Sequence, residues 1–201
     1  MTRLIDEQPV AEVISWPERP RHNPTQAVRL RESLVRYGVE QPITVVCRDE
    51  YLQRLPRQAN SVPRRFSYVA ISDYHWLEAA RTLGLSHVPV WVRCMPPDSI
   101  AAFVLRRHGY DDHLGPLDEA RLLDAALNAP GQTESQNAFA RRLGWSPTTV
   151  SHRLALLRLL PDQQAALEDG RLSLAEARKL LTTPRSPKVS VPQAFSSLAS
   201  R

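Results

Sequence analysis

The sequence predicts an α+β chain in which a small mixed α/β unit is followed by an all-α unit carrying a helix-turn-helix. Three observations lead there. Short β-branched runs alternate with amphipathic helical stretches as far as about residue 93. From Ser99 onward, apolar residues recur every three or four positions almost without a break. The charge is also lopsided: residues 1–131 hold 16 Lys or Arg against 16 Asp or Glu, whereas residues 132–201 hold 10 against 5. The whole formal charge of +5 therefore sits in the helical part. A basic half joined to a neutral one suits a polyphosphate partner, because each neutralised phosphate releases counterions. The plainer alternative is a solvated basic face.

A composition of 42% hydrophobic and 23% charged residues over 201 positions is that of a chain that folds in water, as one large or two small domains. No apolar run approaches the roughly 18 residues that span a bilayer, and Met1 to Glu7 lack a signal-peptide core, so no membrane role and a cytoplasmic location are expected. Cys47 and Cys94 are far apart in sequence and outside any Cys-x-x-Cys pair. They read as buried strand residues, without a disulfide or a thiolate zinc site.

Along the first half, Val10 to Ile14 reads as a short strand before a Pro-rich stretch. A helix is expected from about Thr25 on the spacing of Val28, Leu30, Leu34, Val35 and Tyr37, with Gly38 as its stop. Ile43 to Cys47 and Phe66 to Ile71 read as strands. The polar stretch Arg48 to Arg65 between them, with Pro56 and Pro63, reads as a long hairpin connection or an insertion. Tyr74 to Leu83 is a helix stopped by Gly84, and His87 to Arg93 a final strand. Pro96-Pro97-Asp98 breaks and caps the chain. The domain boundary is placed in His108 to Gly115, giving units at 1–113 and 114–181, with 182–201 as a disordered tail or linker holding three prolines and five serines.

The helix-turn-helix is read at 133–158. Thr133-Glu134-Ser135-Gln136 has capping-box form, Ala138, Phe139, Ala140 and Leu143 make a short apolar side, and Gly144 ends the helix. Ser146 is a good N-cap with Pro147 at the first helical position, so a second helix begins almost at once. Val150, Leu154 and Leu157 point to its core face. Thr148, Thr149, Ser151, His152 and Arg153 are thereby left for another task. In a helix-turn-helix, the N-terminal part of the second helix enters the major groove of double-stranded DNA, where hydroxyls suit phosphates and base edges and arginine grips guanine or phosphate. The candidate DNA-binding set is Ser146, Thr148, Thr149, Ser151, His152 and Arg153, with Arg141 and Arg142 on the preceding helix. The competing reading is two helices of an ordinary bundle. Leu159 to Asp162 then opens a further helix ended by Gly170, and Ser173-Leu174-Ala175-Glu176 is a capping box for the last one.

With these elements in order, the chain resembles the ParB/Spo0J family of partition proteins over roughly Val10 to Leu181. Gly38-Val39-Glu40-Gln41-Pro42-Ile43 looks like the first conserved box, and Trp76-Leu77-Glu78-Ala79-Ala80 with Val88-Pro89-Val90 like the second. Pro116 to Ala120, the helix-turn-helix, Leu156 to Pro161 and Gly170 to Ser173 look like the central DNA-binding domain. The resemblance implies duplex DNA as partner, a role in plasmid or chromosome partition or control of a mobile element, a ParA-like ATPase as a further partner, and homodimer formation. Because the chain ends about 20 residues after its last predicted helix, dimerisation is expected to use a surface other than the family's C-terminal domain.

The resemblance also implies a CTP site, with a Gly-Glu-Arg-Arg phosphate motif and a Glu-Asn pair for magnesium. Here the chain departs from the family. The phosphate positions read Ser72-Asp73-Tyr74-His75, leaving an aspartate facing triphosphate without compensating charge, and the Glu-Asn pair falls at Arg107-His108. The residues carried over to nucleotide binding are Gly38, Gln41, Ser72, Asp73 and His75, and the expectation is that neither CTP nor Mg2+ is used. A CTP-hydrolysing clamp is the alternative.

The fold is shared with sulfiredoxin and with some nucleases. No cysteine occupies the turn at Ser72 to His75, which argues against the first. His108, Asp111, Asp112 and His113 are the concentration of metal-ligating residues that a nuclease would use, and a solvated linker is the plainer reading. His22 and His87 read as ordinary. An adaptor joining a protein partner to DNA is a third reading.

Overall fold

The computed structural model describes residues 2–20, 24–96, 98–108 and 114–182. The expected class is found. The first half builds a five-stranded mixed sheet from β1 (Thr2–Pro9), β2 (Val13–Ser15), β3 (Ile43–Cys47), β4 (Tyr68–Ala70) and β5 (His87–Arg93), in the order β1-β5-β3-β4-β2. β5 runs antiparallel to β1 and parallel to β3, while β4 runs antiparallel to β3 and parallel to β2. Helices α1 (Pro24–Tyr37), α2 (Arg48–Arg54), α3 (Tyr74–Thr82) and α4 (Ile100–His108) connect or follow the strands. The second half is helical throughout: α5 (Pro116–Leu127), α6 (Gln136–Leu143), α7 (Pro147–Ala155), a 3-10 turn Leu156–Arg158, α8 (Pro161–Glu168) and α9 (Leu174–Thr182).

Alternation along the central strands sends Ile43, Val45, Ala70, Val88 and Val90 to a core under α1 and α3, where Leu34, Tyr74, Leu77 and Ala80 meet them. Val46, Val69 and Ile71 face the other side, against Trp16, Tyr51 and α4. The buried run Ile100 to Leu105 of α4 then continues into Leu122, Leu123 and Ala126 of α5, Phe139 and Ala140 of α6, and Val150 of α7. α4 thus packs against the sheet on one side and the helical unit on the other. A further cluster, Leu117, Ala120, Leu156, Leu159, Leu167 and Ala177, fastens α8 and α9 behind α5.

Several expectations are corrected. β1 was not foreseen: it is an edge strand interrupted by Asp6-Glu7 and by a register shift between Ile5 and Gln8, so the apolar alternation is broken where the bulge lies. Val10–Glu12 is a 3-10 turn, leaving only Val13–Ser15 as β2. The strand expected at Phe66 to Ile71 shrinks to Tyr68–Ala70, its flanks held by irregular bonds from Ser67 N–H to Glu12 O (2.8 Å) and Ile71 N–H to Thr44 O (3.0 Å). The long hairpin connection is found, since β4 returns antiparallel beside β3, but it is not irregular throughout: it begins with α2, anchored by the fully buried Tyr51 and followed by the fully buried Val62. The cap of α4 is Ser99, whose Oγ accepts from Ala102 N–H at 3.1 Å, and Asp98 is paired with Arg106 and Arg142 instead. Cys47 and Cys94 are exposed rather than buried: Cys47 is the last residue of β3 and Cys94 lies just past β5. The boundary segment with Asp111, Asp112 and His113, together with His22 and the tail beyond residue 182, lies outside the described residues.

Candidate nucleic-acid interface

α6 starts at Ser135, whose Oγ accepts from Ala138 N–H at 3.3 Å. The Ser/Thr-x-x-Gln pattern at Thr133 is therefore not the cap itself, which sits two residues later. α6 ends in a Schellman motif: Trp145 N–H reaches Ala140 O at 2.9 Å and Gly144 N–H reaches Arg141 O at 3.0 Å, with Gly144 at φ +75°. Ser146 follows at once and caps α7, accepting from Thr149 N–H at 3.0 Å, with Pro147 at the first helical position. The turn is thus fixed by three consecutive residues, each supplying a different requirement. Phe139, Ala140 and Val150 lock the two helices onto α4 and α5, and Trp145 packs against the same cluster.

On the outer face of this unit, Ser146, Thr148, Ser151 and His152 are exposed. Thr149 is half-buried, and its hydroxyl lies 2.8 Å from Ser146 Oγ, so part of its hydrogen-bonding capacity serves the cap. Arg141 is exposed and bonds to none of the described side chains. Two expected members face elsewhere. Arg142 donates to Asp98 at 2.7 Å and Glu134 at 3.0 Å, lies over the Phe139 ring, and is pushed above its ordinary pKa chiefly by the Glu134 bond. Arg153 turns inward. Its Nε bonds Glu119 of α5, its side chain is only 17% exposed, and Nη1 is buried without a partner. Arg158, one turn beyond α7, is exposed and was not singled out, although its place after the Leu157 core position signals it.

The loop before α3 carries the second group. Asp73 has φ +58°, the one non-glycine left-handed residue among those described. Its carboxylate is 13% exposed, accepts from Thr44 Oγ1 at 3.1 Å, and lies 3.3 Å from Arg107 Nη2. Arg107 Nη1 also donates to Thr44 Oγ1 at 3.0 Å, closing a three-membered cluster between β3, this loop and α4. The expectation of an uncompensated aspartate is therefore corrected, since a cation 34 residues away balances it. Ser72 N–H lies 3.4 Å from Thr44 O, and the His75 ring is 4.4 Å from that of Tyr74. Gly38 caps α1 at φ +73°, and both Gly38 and Gln41 are exposed.

A family model, ParB HTH domain, matches residues 112–194, which takes in α5 to α9 and the turn just described. The probable chromosome 1-partitioning protein ParB of Deinococcus radiodurans is 26% identical over 187 residues, covering 93% of this chain and 57% of that one. Stage 0 sporulation protein J of Bacillus subtilis is 28% identical over 179 residues, 88% and 57%. The chain belongs to the ParB-like partition protein family. The probable chromosome-partitioning protein ParB of Coxiella burnetii is 30% identical over 152 residues, 76% of this ParB-like chain and 46% of its own length. The chain thus spans about half the length of the curated relatives it matches.

Two solved structures share the ParB-like fold. One is the C-terminally truncated chromosome-partitioning protein ParB from Caulobacter crescentus complexed to the centromeric parS site, at TM-score 0.53 and 23% identity, covering 89% of this chain and 86% of that one. The other is a Pnob8-like ParB-N domain, at TM-score 0.51 and 15% identity, covering 90% and 81%. Among the described residues of the ParB-like chain, no helix is long and apolar enough to cross a membrane, and no group of three or more His, Cys, Asp or Glu could hold a metal ion.

Proposed function

We propose that this ParB-like chain binds double-stranded DNA by laying the N-terminal part of α7 in the major groove, and that it does so without a CTP-and-magnesium switch. The observation that carries the first part is the α6-turn-α7 unit, whose outer face is hydroxyls and an imidazole backed by a rigid apolar seat. Thr148, Ser151 and His152, all exposed, read base edges in this proposal, and the exposed Arg141 meets phosphate. Arg153 and Arg142 act as positioning residues, holding α7 to α5 and α6 to the Asp98 segment. That the Caulobacter crescentus relative is complexed to a DNA site supports the same reading. A single helix-turn-helix reads one half-site, so two copies acting together, and a ParA-like ATPase beside them, belong to the partition role.

The second part rests on the Ser72 to His75 loop. Its carboxylate sits where phosphate would approach, and Arg107, which reaches it, is already taken up by Asp73 and Thr44. That donor set does not fit a triphosphate with magnesium. Fluorescence polarisation on duplex DNA with a salt titration tests the first part. Binding is expected at low salt, and Arg141→Ala should lower the salt slope by about 0.9, the increment for one phosphate. The double variant Thr148→Ala/Ser151→Ala should weaken binding with an unchanged slope. Absence of binding at about 50 mM salt would sink the proposal, since electrostatic attraction is strong there. Calorimetry with CTP and magnesium tests the second part, and saturable submicromolar heat would overturn it.

A further inference from the structure

Cys47 closes β3, and Cys94 directly follows β5. The two strands run parallel, with Ile43 beside Val90, Thr44 beside Trp91 and Val45 beside Val92. Carried forward two residues, that register sets Cys47 beside Cys94. The two-residue period of a strand also places them on the same face, in line with Val45 and Val92. Both are exposed, at the ends of the two strands.

The chain just past each cysteine is clamped to its counterpart. Glu50 of α2 accepts from Met95 N–H at 2.7 Å, and Arg54 Nη1 donates to Pro96 O at 3.1 Å. Adjacent strands lie about 4.8 Å apart, within the span of about 4.4–6.8 Å between Cα atoms that disulfides bridge. Burial, then the charges of Glu50 and Asp49 and the neighbouring Cys94, push the Cys47 thiol above its ordinary value.

We propose that Cys47 and Cys94 form a cross-strand dithiol that closes to an intramolecular disulfide by exchange with a low-molecular-weight disulfide such as oxidised glutathione. One protein thiol loses its proton to solvent, and its thiolate attacks a sulfur of the small disulfide. This breaks the small molecule's S–S bond and expels one thiolate, which is protonated. The second cysteine, deprotonated in turn, attacks the protein sulfur of the mixed disulfide and expels the other small thiolate. Two protein thiols are oxidised and one small disulfide is reduced to two thiols. The raised Cys47 thiol makes closure faster as pH rises above neutrality.

The full-length chain, reduced and freed of reductant, is incubated with oxidised glutathione at mildly alkaline pH and followed by thiol titration, intact mass and non-reducing electrophoresis. Both thiols should disappear together, the mass should fall by two hydrogens with no glutathione retained, and peptide mapping should join Cys47 to Cys94 within a monomer. Cys47→Ser and Cys94→Ser, at exposed positions, should each keep one glutathione as a stable adduct. Wild-type protein that retains glutathione on either cysteine, keeps both thiols, or forms only disulfide-linked dimers would overturn the proposal.

Discussion

Replacing Glu119 tests whether Arg153 is a strut or a DNA contact. The pair is largely out of water, with side chains 17% and 20% exposed, and Arg153 Nη1 has no other partner. Removing one member of a fully buried pair costs about 3–5 kcal/mol, and the remaining solvent access reduces that to about 2 kcal/mol for Glu119→Ala. In a chain of 201 residues this lowers Tm by about 4–8 °C. Arg153→Met keeps the packed stem and strands only the carboxylate, at about 1–2 kcal/mol. The double variant Glu119→Gln/Arg153→Met removes both charges and should recover to within about 1 kcal/mol of wild type. Urea unfolding supplies the stabilities, and polarisation against salt supplies the DNA slope, which the double variant should leave unchanged. If Arg153→Met spares stability and lowers the salt slope by about 0.9, the arginine is a phosphate contact and the inward placement is wrong for the working protein.

Other outcomes follow from the same geometry. Gly144→Ala meets no atom within 4 Å of its new Cβ, so the cost is backbone strain alone, about 1–2 kcal/mol at φ +75°, readable in the urea midpoint. Ser146→Ala removes the α7 cap and should cost about 1 kcal/mol, while Ser146→Gly costs only a few tenths. Burial would raise the Asp98 carboxyl, but the hydrogen bonds from Arg106 and Arg142 outweigh it and hold it below its ordinary value. A depressed carboxyl contributes stability above its unfolded pKa and loses it as pH falls through the folded one. Asp98→Asn should therefore be less stable at neutrality, with the difference closing below the ordinary value of 3.8 in an acid titration by circular dichroism.

The elements whose boundaries need a particular residue were legible in the sequence. Gly38, Gly84, Gly144 and Gly170 all adopt positive φ at helix ends, and Ser146-Pro147 opens α7 where its chemistry requires. Elements held by one or two tertiary contacts were hidden. α2 rests on the burial of Tyr51, and β1 is paired only with β5 and carries charge in its middle. The direction of Arg153 was available and missed: it lies three residues after Val150 and four before Leu157, on the apolar face, and only its charge suggested otherwise. Asp73 and Arg107 meet through the docking of α4 beside the loop before α3, which no local pattern encodes.

α4 is nine residues long, about 13 Å from end to end. At one end Arg107 grips the Asp73 loop, and just before the other Asp98 grips Arg142 of α6. The buried face between them belongs to the same apolar cluster as the helix-turn-helix. α4 is therefore a stiff rod pinned by a carboxylate at each end, not a tether between two independent bodies. Anything that competes for Arg107 pulls on a lever whose far pin is set in the helix that seats α7.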